Sequence, residues 1–266
     1  MIELGHALPG GTLLTVDKGV NETYRGLIEV GSARLSAYIK FLPSRQLVNE
    51  LLASVLGRIA GLPIPRGFLV EVHRADYPNS PLMAAHGLTV MPAFAVEAIA
   101  CQSALRRLDL QSPTAREQLL RAWPHWYSAA AFDDWIANAD RHPGNLLVGA
   151  PGEAWLIDHS HAFTGDKWQA VNLRPDVVTQ NQLGKAMAIW LKPPEKMLAM
   201  QTCHTVVQRF STVDTVRATR LAHVVTQLSN LDLDALTNFV IERVHSVAPR
   251  IESILGIPGL PLGPVP

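Results

Sequence analysis

The sequence predicts an α+β fold in two lobes, on three observations. Over roughly the first ninety residues, short runs of alternating apolar and polar residues are separated by Gly and turn residues, with one stretch of helical period among them. Beyond Pro92 the chain becomes Ala-, Leu- and Trp-rich, with apolar residues at helical spacing. Pro92 itself stops a strand-like run at Met91. The expected division is a small lobe over 1–91 with an antiparallel sheet and one helix, a mainly helical lobe over 92–256, and a Pro-rich tail over 257–266.

The elements follow in order. Thr12–Val16 reads as a strand, followed by the polar turn Asp17-Lys-Gly-Val-Asn-Glu22. Tyr24–Val30 and Arg34–Phe41 read as the next two strands, joined by Gly31-Ser32. After Pro43-Ser44 the period changes: Leu47, Val48, Leu51, Leu52, Val55, Leu56 and Ile59 mark a helix that Gly61-Leu-Pro63 ends. Gly67–Val72 and Gly87–Met91 are strand-like again. Helices are expected over Val96–Leu108, Ala115–Ala137, Met197–Phe210, Val216–Leu228 and Leu233–Val247. Two short strands interrupt them, Leu146–Val148 and Ala154–Ile157, linked by Gly149-Ala-Pro-Gly152 as a hairpin.

Composition narrows the class. The 266 residues carry 23 Lys+Arg against 23 Asp+Glu, so no overall field would draw nucleic acid or an anionic membrane. The two cysteines, Cys101 and Cys203, lie far apart with no companions at metal-ligand spacing and read as free thiols of a reducing compartment. The start lacks the basic and apolar regions of a signal peptide, and no uninterrupted apolar run reaches the roughly 18 residues of a membrane span. A cytoplasmic protein without a membrane span, and without direct contact to nucleic acid, is the expectation.

The chemistry concentrates in Asn138–Val148 and Trp155–His161. Asp140 follows a helical run, Arg141-His-Pro-Gly144 forms a turn, and Asn145 opens an apolar strand. The four-residue gap lets one turn present the Asp140 carboxylate and the Asn145 amide to one cavity. Asp158 ends the second strand of the hairpin, at the same end as Asn145. Phosphoryl transfer needs this set: one carboxylate to orient the attacking hydroxyl, and an amide oxygen with a second carboxylate to hold Mg²⁺ over the phosphates of ATP. An ordinary Asp, with a pKa of about 4, is a weak base, so Asp140 would mainly orient the hydroxyl and take its proton late. Arg141 or His142 would stabilise charge on the transferring group. Zinc on His142, His159 and His161 is the competing use of the region; no cysteine supports it, and the neighbouring Asp and Asn favour a harder ion.

Two upstream residues fit the same chemistry. Lys40 ends an alternating strand and Glu50 lies on the helix that follows, among leucines, where a carboxylate is costly unless a cation meets it. The competing reading is a solvated lysine and a surface glutamate.

The run Asp-Arg-His-Pro-Gly-Asn-Leu-Leu-Val, with Leu-Ile-Asp-His-Ser-His after it, resembles the catalytic and metal-binding loops of the protein-kinase-like superfamily, and within it those of HipA-like kinases. The loop is also similar to that of phosphoinositide kinases and of aminoglycoside and choline phosphotransferases. The resemblance implies a two-lobed protein-kinase-like fold using ATP and Mg²⁺. It makes Asp140 the catalytic aspartate, Asn145 and Asp158 the metal ligands, Lys40 and Glu50 the lysine–glutamate pair, and Met91 to Ala93 the hinge that receives adenine. Gly19, in Asp17–Thr23, is the one glycine available to a phosphate loop, since no Gly-x-Gly-x-x-Gly is present. His159-Ser160 stands where Phe-Gly is usual, and no Ala-Pro-Glu follows. The acceptor implied is a protein serine or threonine, with a small-molecule alcohol or lipid headgroup, or a non-catalytic scaffold, as alternatives. HipA-like proteins also imply a separate antitoxin-like partner.

Overall fold

A computed structural model describes residues 1–14, 21–100, 102–103 and 112–257. Gly19, Cys101 and nearly all of the tail lie outside the described residues. The first part of the chain is a closed barrel. Strands β1 (Glu3–Ala7), β3 (Thr23–Val30), β4 (Ala33–Lys40), β5 (Gly67–His73) and β6 (Val90–Glu97) run in the order β1-β5-β6-β4-β3, and β1 pairs back onto β3 to close it. The short β2 (Thr12–Leu13) is appended to β3.

The expected antiparallel sheet is present but closes on itself, and its β1–β5 pair is parallel. Strand β1 was not anticipated, because Glu3-Leu-Gly-His-Ala7 shows no clear alternation, and it runs parallel to β5. Gly5 is required where the barrel closes, since a Cβ there would collide with the backbone carbonyl of Glu29. Inside, Ile28, Ala37, Ile39, Phe68, Val70, Ala93 and Ala95 alternate inward from successive strands and form a core of their own.

Strand β6 also overturns the expected break at Pro92. It runs through Met91-Pro92-Ala93, with Met91 opposite Val72 and Ala93 opposite Val70 on β5. Strand β4 pairs with β6 only from Phe94 onward, so at Pro92 one side of the strand is an edge, where a missing N–H is tolerated. Val96 and Glu97, expected in a helix, are strand residues, and Gln102–Ser103 form the short strand β7.

Helix α1 (Ser44–Ile59) spans the predicted period and is buried on every side from Gln46 to Gly57. It packs on β5 and β6 on one flank and on the C-terminal helices on another, so its leucines belong to the second, larger core. After α2 (Pro81–Ala85), the helical part among the described residues comprises α3 (Pro113–Ala122), α4 (Trp126–Trp135), α5 (Gln182–Trp190), α6 (Pro193–Ser211), α7 (Thr215–Leu221) and α8 (Asn230–Leu255). Pro124 divides the expected Ala115–Ala137 helix into α3 and α4. Helix α8 runs through Pro249, which the sequence pattern had placed beyond its end. Trp135 stacks on Phe210 at 4.5 Å between ring centroids and ties α4 to α6. Strands β8 (Leu146–Val148) and β9 (Ala154–Leu156) form the expected hairpin, with β7 on its edge. No helix among the described residues is long and apolar enough to cross a membrane.

Candidate active site

Lys40 ends β4, beside α1. Its Nζ donates to Glu50 Oε1 at 2.5 Å and lies 3.1 Å from Asp158 Oδ1. Glu50 is buried on α1, and its other oxygen accepts the backbone N–H of His159 at 3.0 Å. Burial alone would depress Lys40, but the charges of Asp158 and Glu50 outweigh it and raise the ammonium above its ordinary value. Burial likewise opposes ionisation of Glu50 and of Asp158, and Lys40 reverses it, holding both carboxyls below their ordinary range. All three groups are therefore charged at neutral pH. His159 is buried against Glu50 with its Nδ1 3.6 Å from the carboxylate, and burial lowers its pKa.

The Asp158 backbone has φ of +58°, a left-handed conformation that Asp accepts more readily than most residues. The side chain remains 30 % exposed, and the Ser160 hydroxyl donates to it at 3.0 Å. Ala137, Phe163 and Thr164 also have positive φ, so left-handed non-Gly residues cluster around the two loops, as strained backbone does at working sites.

The second group is the turn after α4. Asn145 Nδ2 donates to the Asp140 backbone carbonyl at 2.6 Å and to Asp140 Oδ2 at 3.3 Å, while the Asp140 N–H is held by Asn138 Oδ1 at 3.2 Å. The Asp140 carboxylate is 45 % exposed. His142 Nδ1 accepts the Gly144 N–H, shaping the turn, and its Nε2 lies 3.9 Å from Asp140 Oδ2. The two groups are joined through the hairpin, where Ile157 N–H donates to the Asn145 carbonyl at 3.1 Å.

Arg141 is not part of the open site. Its side chain is fully buried; Nε and one terminal nitrogen bind Asp133, and the other donates to the carbonyls of Asn145 and Ile157. The expectation that it could act on a transferring group is corrected: its donors are committed to the scaffold behind Asp140. Met91 and Ala93, expected at the hinge, are paired strand residues of the barrel. Sequence reasoning missed Asp133 and gave Asn138 no role, yet with Arg141 they fix the back of the turn. Their signal was only that they are polar residues in an otherwise apolar stretch.

Asn145 and Asp158 stand at one end of the β8–β9 hairpin, offering an amide and an ionised carboxylate. Hydrogen bonding through Nδ2 leaves Asn145 Oδ1 as the atom that could meet a cation. Two hard oxygens suit Mg²⁺, which fills its other positions with water and phosphate oxygens. Among the described residues no group of three or more His, Cys, Asp or Glu is placed to hold a metal, so the three histidines do not gather as zinc ligands.

The sequence profile of the HipA-like kinases matches residues 37–210, from β4 into α6. The chain belongs to the HipA-like kinase family. Lys40, Glu50, Asp140, Asn145 and Asp158 all lie within the matched span. Among solved structures, this HipA-like kinase is similar to the proinflammatory kinase CtkA of Helicobacter pylori, at a TM-score of 0.55 and 12 % identity over 92 % of this chain and 97 % of that one. It also aligns with Shewanella oneidensis HipA in complex with HipB and operator DNA, at a TM-score of 0.41 and 16 % identity over 93 % of this chain and 66 % of that one. No curated protein sequence matches.

Proposed function

We propose that this HipA-like kinase transfers the γ-phosphoryl group of ATP to the hydroxyl of a protein serine or threonine, with Mg²⁺. The observation that carries the reading is Lys40 Nζ held between Glu50 and Asp158 while the same hairpin carries the Asp140–Asn145 turn. Glu50 fixes the ammonium where it can neutralise phosphate oxygens. Asp140, whose carboxylate is exposed, orients the acceptor hydroxyl and receives its proton. Asn145 Oδ1 and Asp158 would hold Mg²⁺, which supplies charge neutralisation on the β- and γ-phosphates when bound. The adenine-receiving backbone is assigned to the chain leaving β6 after Glu97, where Ala98 N–H is anchored on the Ser36 carbonyl, and not to Met91–Ala93.

The test combines binding and turnover. Calorimetric titration with ATP and Mg²⁺ should show binding that Asp158→Ala abolishes and Asp140→Asn retains. Transfer from γ-labelled ATP to protein in a lysate should occur with the wild type and fall about 10²–10⁴-fold in Asp140→Asn. Full activity of Asp140→Asn would refute its role, and label on small molecules alone would move the acceptor to the metabolite class.

A further inference from the structure

A pocket beside the candidate catalytic turn contains none of the residues assigned to nucleotide or metal. It encloses about 300 Å³ between α3 and α5, the lower end of the roughly 300–1,000 Å³ that takes small ligands, and so suits one or two amino-acid side chains. Leu119, Leu183, Ala186 and Trp190 give it apolar walls, and His142 with Pro143 closes it on the side of the turn. Because His142 Nε2 is 3.9 Å from Asp140 Oδ2, an occupant lies one imidazole away from the carboxylate assigned to the acceptor hydroxyl.

Arg116 of α3 brings the cation. Among the described residues its buried Nε has no hydrogen-bond partner, and no carboxylate lies within ion-pair distance of it. Arg141 also borders the pocket, but its donors are committed to Asp133 and two carbonyls. A buried donor without a partner is costly, and a guanidinium fork matches a carboxylate. Apolar walls with the Gln182 amide and one guanidinium whose Nε lacks a partner suit an anion next to a hydrophobic group.

We propose that this pocket anchors the protein acceptor, taking a segment in which an aspartate or glutamate reaches Arg116 while a neighbouring apolar side chain fills the walls, close to the phosphorylated serine or threonine. The inference rests on the phosphoryl-transfer reading of the site and names the acceptor for it.

The test uses two fluorescein-labelled peptide pools with a central serine flanked by leucine, one with glutamate and one with lysine at the remaining positions. Fluorescence anisotropy on the full chain should give tighter binding of the acidic pool. Arg116→Glu should weaken that binding about tenfold or more, as loss of a charged hydrogen bond does, and turn the preference towards lysine. Ala186→Phe, which fills the pocket without changing charge, should weaken the acidic pool as well, and circular dichroism checks that each variant is folded. Equal affinity for the pools, binding of neither, or an acidic preference that survives both substitutions overturns the proposal. Labelled phosphate transfer separates it from the reading beneath it. Transfer to serine without acidic preference removes the pocket's role and leaves the kinase reading standing. Selective binding with no transfer from ATP to any acceptor removes the kinase reading, and with it the acceptor role.

Discussion

Asp158 meets Lys40 directly, Oδ1 to Nζ at 3.1 Å, so the turn after β9 is fastened to the end of β4 by an ion pair that also contains buried Glu50. The barrel and the loop carrying the candidate metal ligands are thereby held in one electrostatic unit. The middle member, Lys40, answers to two carboxylates, and its removal leaves both without a cation.

Lys40→Met is therefore expected to destabilise the protein as well as weaken nucleotide binding. Breaking a buried pair by removing one partner costs about 3–5 kcal/mol, because Glu50 stays behind uncompensated. Lys40→Met combined with Glu50→Gln should recover part of that loss, since the stranded charge is gone, while nucleotide binding stays impaired. Urea denaturation of the two single variants and the double variant measures the coupling. Additive losses would show that the ion pair contributes nothing beyond its separate residues.

Arg141→Lys keeps the charge but loses the fork that binds Asp133 and the carbonyls of Asn145 and Ile157 at once. The expected outcome is a stability loss of about 2–4 kcal/mol in denaturation, with turnover falling only as the turn loosens. A variant of unchanged stability with turnover alone abolished would return Arg141 to the reacting groups.

That difference marks where the sequence stopped being legible. Strands β3 to β5, helix α1 and the β8–β9 hairpin were readable because their periods and turn residues are local. The approach of Lys40 to Glu50 was readable only with the later Asp140–Asp158 motif beside it, since a carboxylate among leucines also allows a surface glutamate. Strand β1 was not, because its parallel partner β5 lies far along the chain and its own five residues show no clear alternation. Pro92 misled because a proline is tolerated in the stretch 90–93, where β6 has no β4 neighbour on one side. The burial of Arg141 was equally hidden: a turn motif names the residues in it, but its acceptor Asp133 and the carbonyls of Asn145 and Ile157 decide which of them face outward.

Cys203 offers a pH test away from the site. Burial, with a smaller contribution from Asp134, pushes its thiol up to about 12. Unfolded, the thiol ionises near pH 8.5, so above that the unfolded chain has lost a proton the folded chain keeps. Stability contributed by the neutral thiol is then lost as pH rises, at up to about 1.4 kcal/mol per pH unit until the folded value is reached. Cys203→Ala should show a shallower decline between pH 8.5 and 10 in denaturant titrations. In a Cys101→Ser background, alkylation at pH 8 should be slow until denaturant is added; rapid labelling of the native chain would contradict the burial.

Asn49 was not singled out in the sequence, yet it joins α1 to the segment that follows Asp158. Its Nδ2 lies 2.8 Å from the carbonyl of Ser160 and 2.9 Å from those of Ala162 and Gly165, and its Oδ1 accepts the Trp168 indole N–H at 2.8 Å. Asn49→Leu has similar bulk and none of these bonds, so each of the buried groups it strands costs about 1–3 kcal/mol unless water reaches it. Opening the segment is the cheaper response than unfolding the core, because the carbonyls then hydrate while the α1 leucines stay packed. Hydrogen–deuterium exchange should therefore rise over 159–168 in Asn49→Leu while α8 keeps its protection. Because Asp158 begins this segment, turnover should drop with it, and Lys40 should lose the partner that holds its ammonium high. Unchanged exchange over 159–168 would mean that the Asp158–Lys40 pair and the Glu50 contact to His159 anchor the segment on their own.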